Sequence, residues 1–480
     1  MQHGASFDVE DFTGRTPISL ASRAVKSTKA AANYPLEQTG EAFAWGNGAN
    51  YQLGTGSLGI ATAPNRVENL VGLNVTHVVA AKFHSAAVTI DGEVYTWGFG
   101  RGGRLGLPDC EVHSGQAAVI FPTLVPGFRN KLVKMVAAAK HHMLAVSTGG
   151  EVFSWGSNRE GQLGYSAVDT QVTPRRIPGL MKILAVAASN KHSAALNTSG
   201  HLYTWGCNAS GQLGYGTASA SSTSHPRRVE CLKDAVKEGA VSKHHTVVVA
   251  GEGEVLTWGH KRVAPRKVPL IPYNGSMHSN NLNNYSGSNG SLAASKLYAN
   301  FTFHRAAPLR AVSISAGAAH SCIVTDAGSV LCWESADPQL RCIRVKELEQ
   351  HSAIKVSSGK DRTAIVTSEG DMFMWSGDKA LAAVREADDN GICARPLDVL
   401  RIPHVKQVVD VSVGESHSIA RVGISNPFTP EVYGGAEASN SDATTLTEPY
   451  SESLDNPSDL ELNTSHEFVN DSGWAASTTV

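Results

Sequence analysis

The sequence predicts an all-β fold, a seven-bladed β-propeller closed by pairing between its N-terminal and C-terminal strands. Three observations carry this. Tryptophan recurs in one local setting, AFAWG, VYTWG, VFSWG, LYTWG, VLTWG, VLCWE and MFMWS, at Trp45, Trp97, Trp155, Trp205, Trp258, Trp333 and Trp375. The spacings are 52, 58, 50, 53, 75 and 42 residues, and β-rich units at so long a period mean a propeller or a solenoid. The register is also offset at the two ends: Trp45 has no histidine thirteen residues upstream, and His417 has no tryptophan thirteen residues downstream. Pairing 411–422 with 41–46 completes one shared blade and removes the open sheet edges of a linear array.

Each unit reads in the same order. A proline opens a β-branched stretch, as in APNRV, FPTLV, TPRRI, HPRRV and APRKV, with DPQLR and RPLDV as weaker copies. An Ala/Ser-rich strand follows, carrying His84, His142, His192, His245 or His320, with Arg362 as the exception and His417 at the last position. Its small side chains let the blades converge on an axis. A glycine lies five residues before each tryptophan (Gly40, Gly92, Gly150, Gly200, Gly253, Gly328, Gly370) and predicts a hairpin turn, because glycine supplies the positive φ that such a turn needs. In the strand that follows, alternation puts Tyr95, Phe153 or Tyr203 on the face of the tryptophan and the intervening Thr or Ser on the other. The tryptophans are expected to fill the space between blades. The histidines are expected to be structural, each bonding neighbouring backbone, since a ring spreads equivalent residues around its axis and gathers none of them at one site.

Segments outside the period are distinct. Residues 36–424 are assigned to the propeller, and DFTGRTPISLASR within residues 1–35 resembles the opening of one ankyrin repeat followed by a linker. The 75-residue spacing comes from an Asn/Ser/Gly run at 274–300, expected to be a flexible surface loop. Beyond Arg421 there are ten acidic residues and no Lys or Arg, leaving 41 basic against 33 acidic residues, +8, in the rest of the chain. Residues 425–480, rich in Ser and Thr, are expected to be disordered. With no span of about 18 apolar residues and no apolar leader, the expected location is intracellular, cytoplasm or nucleus.

The motif WG-x-[GN]-x-x-x-Q-L-G, with an upstream His-Ser strand and a period near fifty, resembles the regulator of chromosome condensation repeat. The resemblance covers residues 36–424; it is fullest in the first four units, because GQLG is missing from the last three. It implies a seven-bladed propeller. The ankyrin-like start also resembles a group that joins ankyrin repeats, this propeller and BTB domains, although no BTB-like segment follows here. The family's plant UV-B photoreceptors place tryptophan in GWRHT, a string absent from this sequence.

No residue pattern calls for a metal, a cofactor or catalysis. The seven cysteines are scattered without a C-x-x-C pair, and no Walker, G-x-S-x-G or H-E-x-x-H motif occurs. GFGRGGRLG contains a formal G-x-G-x-x-G at Gly98, Gly100 and Gly103. The same register elsewhere reads GNGANYQLG and GSNREGQLG, so it is the ordinary loop of the repeat and not a dinucleotide site.

Candidate partner-binding residues are basic: Arg101 and Arg104 in one loop, Lys261 and Arg262 in another, and Arg175-Arg176, Arg227-Arg228 and Arg266-Lys267 in the proline segments. A basic arc would suit acidic proteins, phosphates or headgroups, while the bland reading is a solvated rim with counter-charges. The C-terminal TTV offers Thr478 and the Val480 carboxylate to a PDZ groove. The expected function is therefore a non-enzymatic protein-interaction scaffold, its partner unidentified. The resemblance supplies an alternative, nucleotide exchange on a small GTPase as performed by the family's founding member. Chromatin or nucleic-acid binding through the basic rim is a further alternative, against which the nearly neutral whole chain weighs.

Overall fold

The small-residue run of each unit is two strands rather than one. In the computed structural model, Val75–Ala80 and His84–Thr89 are separate antiparallel strands joined by a turn at 81–83. Val94–Phe99 with the tryptophan and Ala118–Leu124 with the proline complete a four-stranded sheet. The structure describes residues 40–423 except 109–117, 129, 167, 219–221, 271–308, 380, 381 and 383–396. The ankyrin-like stretch, the 274–300 insertion, the acidic tail with Thr478 and Val480, Cys110 and Cys393 all lie outside the described residues.

The four-stranded unit of Trp97 belongs to an eight-stranded sheet, which divides into two four-stranded units bridged by the single residue pair Gly40 and Val75, and five other sheets have four strands each. The described residues thus form seven blades, numbered here by tryptophan order. Blade 1 is composite: it takes Val408–Val413 and His417–Gly423 from the end of the chain, and Gly40–Asn47 and Ile60–Arg66 from its beginning. Gly40–Asn47 pairs antiparallel with His417–Gly423 over seven residue pairs, from Gly40 opposite Gly423 to Gly46 opposite His417. The first strand of every blade touches the first strand of the next all the way round, so these strands line the axis. The histidine strands lie one layer out, and not on the axis as the reading of the small-residue run implied. Where space is least the residues are small or β-branched: Ala80, Ala138, Ala188, Val241, Ala316, Ser358 and Val413 lie at or next to the axial ends of the inner strands. The proline strands are outermost, which suits a residue that cannot donate to a ladder.

Six of the seven marker glycines occupy the expected hairpin turn, with φ between 73° and 103°. Gly40 does not. It lies within a strand, because the hairpin partner of its strand is at the other end of the chain. There glycine is needed for close approach: a Cβ on Gly40 would lie 2.2 Å from the Val422 carbonyl oxygen. The turn glycines also join blades, their carbonyls accepting from the next inner strand, as in Val133 N–H to Gly92 O at 3.0 Å. At the seam the inner strands share an ion network around one buried carboxylate. Asp410 of blade 1 meets Lys355 of blade 7 and His77 of blade 2, the latter at 3.5 Å. Burial alone would raise the Asp410 carboxyl, but Lys355 and His77 hold it well below the usual range.

Tryptophan and histidine belong to one repeated latch. Trp97, Trp155, Trp205 and Trp258 are fully buried, and each indole N–H donates to a carbonyl in the preceding blade's loop: Gln52, Arg104, Gln162 and Gln212, at 2.8–3.0 Å. Three of those carbonyls also accept the hydroxyl that follows the blade histidine, from Ser85, Ser193 and Thr246, each at 2.8 Å. The same hydroxyl meets Nε2 of the preceding blade's histidine, as His417 to Ser85 at 2.6 Å, His142 to Ser193 at 2.8 Å and His192 to Thr246 at 3.4 Å. His245 and His320 continue the series through Ser321 at 2.9 Å and Thr363 at 2.7 Å. The histidines therefore bond side-chain hydroxyls across blades, a correction to the expected backbone partner. A hydroxyl one residue past the blade histidine or its substitute, in every blade but the third, gives the ring its pairing rule.

The latch explains each letter of the loop motif. The glutamine side chain is turned inward to accept a loop N–H (Asn50 to Gln52, Glu160 to Gln162, Ser210 to Gln212), and the leucine is buried. The last glycine has positive φ and lies against the next blade's indole, where a Cβ on Gly54 would come within 2.7 Å of Trp97 Nε1. Where the motif is missing, Trp333 and Trp375 have buried indole nitrogens without a partner. Met143 stands where His84 would find its hydroxyl, and both His84 ring nitrogens are buried and unpaired; Arg362 replaces the histidine that would meet Ser418, whose Oγ is unpaired. The Gly98, Gly100, Gly103 loop continues into a three-residue 3-10 turn, Arg101–Gly103, which offers no helix N-terminus to a pyrophosphate.

Three tests follow from this geometry. Gly40→Ala is expected to lower stability by about 2 kcal/mol or more, because the methyl group meets backbone and not a flexible side chain; a loss below about 0.5 kcal/mol in denaturant titration would contradict the close approach. Ser193→Ala leaves a buried histidine nitrogen unpaired and should cost about 1–3 kcal/mol, whereas Ser418→Ala removes an already unpaired hydroxyl and should be near neutral or stabilising. Equal costs would refute the pairing rule. The third test is pH. Burial pushes His142, His192 and His417 down to about 3 and His320 to about 4. A depressed histidine binds fewer protons folded than unfolded, so stability is full above about 6.5 and falls as pH drops toward those folded values, by about 1.4 kcal/mol per unit for each histidine. His142→Gln should flatten the measured slope by about one proton.

Candidate functional site

Strand direction divides the disc into two faces. Inner strands run toward the 81–83 type of turn, histidine strands run back to the glycine turns, and tryptophan strands return to the first face, where the GQLG loops begin. One face thus carries both the axial turns and the long loops, and the other carries the glycine hairpins. The proline strands descend from the loop face along the outer edge.

The ten basic candidates fall into separate groups on this frame. Arg101 is exposed on the loop face, but Arg104 is buried: Nε donates to Arg101 O at 2.6 Å and Nη1 to Lys140 O at 2.9 Å, while its guanidinium lies 5.3 Å from the Phe83 ring centre and 5.4 Å from that of Phe99. Burial, assisted by Arg101, pushes Arg104 down to about 10. Lys261 is exposed in its shortened loop, and neighbouring Arg262 donates to the carbonyls of Ser335, Ala336 and Asp337 at 2.6–3.0 Å, clamping the loop of the next blade.

The proline-strand residues share one register on the outer edge: Arg175, Arg227 and Arg266 stand opposite Ser154, Thr204 and Thr257, and Arg176, Arg228 and Lys267 opposite Phe153, Tyr203 and Leu256. The second residue of each pair meets an acid. Arg176 reaches Glu151 at 3.2 Å and Lys267 reaches Glu254 at 2.5 Å, in both cases the residue just after the turn glycine, and Arg401 finds Asp371 in the same way at 2.6 Å. His201 occupies that position in blade 4, and Arg228 instead faces Glu230 at 3.7 Å. The first residue of each pair is held differently: Arg175 and Arg227 stack on Tyr165 and Tyr215 at 4.6 and 4.8 Å, and Arg266 donates to Pro338 O at 3.2 Å. Counter-charges therefore accompany much of the outer rim.

A further basic set went unread in the sequence. The axial turns of all seven blades surround one cavity of about 510 Å³ on the loop face, and the residue two before each blade histidine or its substitute points to it in turn: Lys82, Lys140, Asn190, Lys243, Ala318, Lys360 and Glu415. Four lysines thus gather around the axis although 58 to 117 residues separate neighbours in the sequence. Their signal was the constant offset from histidine, legible only once the turn between the two inner strands is known. Glu415 meets Lys82 at 3.0 Å. Burial lowers Lys140, and Lys82, Arg104 and Lys243 lower it further.

The model described as the RCC1-like domain matches residues 16–265, and the regulator of chromosome condensation (RCC1) repeat matches 311–333. The chain is 27% identical over 450 residues to the Inhibitor of Bruton tyrosine kinase of Xenopus laevis, covering 89% of this chain and 31% of that protein. It is 31% identical over 180 residues to the Ultraviolet-B receptor UVR8 of Arabidopsis thaliana, covering 37% of this chain and 39% of that one. The chain therefore spans between a quarter and two fifths of the length of the first relatives it matches. Among solved structures, yeast RCC1 (Prp20) bound to Kap60 aligns with TM-score 0.61 at 18% identity, over 81% of this chain and 90% of that one. With its model matched over more than half the sequence and its propeller shared in three dimensions, the chain belongs to the RCC1-like domain family.

Proposed function

We propose that the chain is a non-enzymatic protein-interaction scaffold that docks its partner on the loop-bearing face. One observation carries this reading: in blades 1 to 4 the loop backbone is pinned from beneath by the next blade's buried tryptophan. Loops fixed in this way lose little freedom when a partner docks, and preorganisation of this kind is a principal source of affinity at protein interfaces. Arg101, Arg159 and Lys261 are exposed on that face. The frog relative is named as an inhibitor of a kinase, an activity compatible with action through binding.

The test compares partners recovered with the wild-type chain, with an Arg101→Glu/Lys261→Glu loop-face variant, and with an Arg175→Glu/Arg227→Glu rim variant. Partners lost from the first variant and retained by the second would support the reading. Identical recovery from both would refute it, as would accelerated nucleotide release from a small GTPase at substoichiometric amounts of the chain, which would favour exchange activity instead.

A further inference from the structure

We propose that the axial cavity on the loop face binds a compact, multiply phosphorylated small molecule. The proposal is independent of the protein-docking reading and rests on how charge is distributed around the axis. Lys82, Lys140, Lys243 and Lys360 enter the rim of one cavity from four blades, with Glu415 as the sole carboxylate among its lining residues. Glu415 answers only Lys82 directly, at 3.0 Å. Lys140 and Lys243 form no ion pair with a described residue, and Lys360 is left with Asp361 at 3.8 Å, outside the cavity lining.

The outer rim behaves in the opposite way. There Arg176, Lys267 and Arg401 each meet an acid at the same structural position, so the fold supplies counter-charges where cations serve only the structure. At the axis it concentrates cations and leaves them under-compensated, although like charges that close raise the cost of one another. Lys140 feels this crowding: burial lowers it first, and Lys82, Arg104 and Lys243 lower it further against the opposing pull of Glu415. Three of these cations are positioned around one ring, Lys82, Arg104 and Lys140 lying 5.2, 5.3 and 5.9 Å from the centre of Phe83. Arg104 further fixes the turn by its bond to the Lys140 carbonyl at 2.9 Å.

The geometry selects the ligand class. About 510 Å³ is the size of a small-molecule site, and the cations converge on it radially instead of tracking a groove along which a peptide or nucleic-acid strand would run. Ammonium groups are point charges that suit phosphate oxygens arriving from several directions, whereas planar carboxylates are better matched by arginine forks. Ala318, Gly317, Gly359 and Gly414 keep the remaining lining small, so the centre stays open to a ligand with charge on all sides.

The experiment is calorimetric titration of the full chain with myo-inositol hexakisphosphate at about 0.15 M salt, where long-range screening is already strong. The expected result is saturable binding of one molecule per chain that weakens as salt rises. Lys140→Gln/Lys243→Gln should reduce affinity at least about tenfold, and Arg175→Gln/Arg227→Gln on the outer rim should leave it within about twofold. Glu415→Gln removes the one carboxylate and should tighten binding by about threefold or more, a gain that a misfolded variant cannot mimic. Absence of saturable binding, equal losses from axial and rim variants, or no gain from Glu415→Gln would overturn the proposal. Displacement of the probe by an Asp/Glu-rich peptide at lower concentration than by itself would also overturn it, in favour of an acidic peptide ligand.

Discussion

The structure depends on one shared carbonyl. In the latch that joins blades 1 to 2, 3 to 4 and 4 to 5, a loop carbonyl accepts both an indole N–H and a hydroxyl from the next blade, and that hydroxyl in turn meets a histidine of the blade that owns the loop. Each bond taken alone contributes about 1 kcal/mol net, but leaving its buried partners unpaired would cost more than forming it returns. A propeller blade has no other continuous ladder to its neighbour. The latch and the glycine-turn contacts therefore convert seven separate sheets into one body, while the hydrophobic clusters between blades supply the bulk of the burial.

The same pattern shows where the ring is imperfect. Blades 6 and 7 follow loops without the glutamine motif, and their tryptophans stay buried for packing while their indole nitrogens lose partners. Ser321 compensates within its own blade by bonding Ser335 at 2.9 Å, and Ser335 also meets His245 at 3.0 Å. Two links fail outright, at Met143 and at Arg362. In the first an apolar side chain replaces the hydroxyl, and in the second a cation replaces the imidazole. The Arg362 failure adjoins the seam, where the shared sheet and the network of Asp410 with Lys355 and His77 span blades 7, 1 and 2.

Charge is sorted by radius. On the outer edge three blades repeat a basic residue facing the acid just after the turn glycine, a pairing local to its own blade. The axis collects lysines from turns that are remote in sequence. A repeat fold makes this inexpensive, because a substitution at one offset in several units, harmless in any single blade, accumulates at one place. Loops pinned by buried tryptophans surround that place on the same face, so the proposed docking surface and the axial cavity are neighbours even though different blade positions build them.

By itself the sequence determined the blade number, the offset ends and the buried role of tryptophan, since these depend on local pattern and period: Trp, Gly and His recur at fixed offsets whatever the chain does globally. Six of the ten basic candidates could be grouped by register but not by environment. Nothing in the string RLG marks Arg104 as buried, and nothing in TPRRI shows that Arg176 faces Glu151 while Arg175 lies on Tyr165. The split of the small-residue run into two strands, the hydroxyl partners of the histidines and the lysines around the axis were decided only by the tertiary structure. The first is a turn inside one blade that small residues do not announce; the other two are contacts between blades, joining residues more than forty positions apart, and hydrophobic periodicity within a unit carries no information about which side chain the next unit will present.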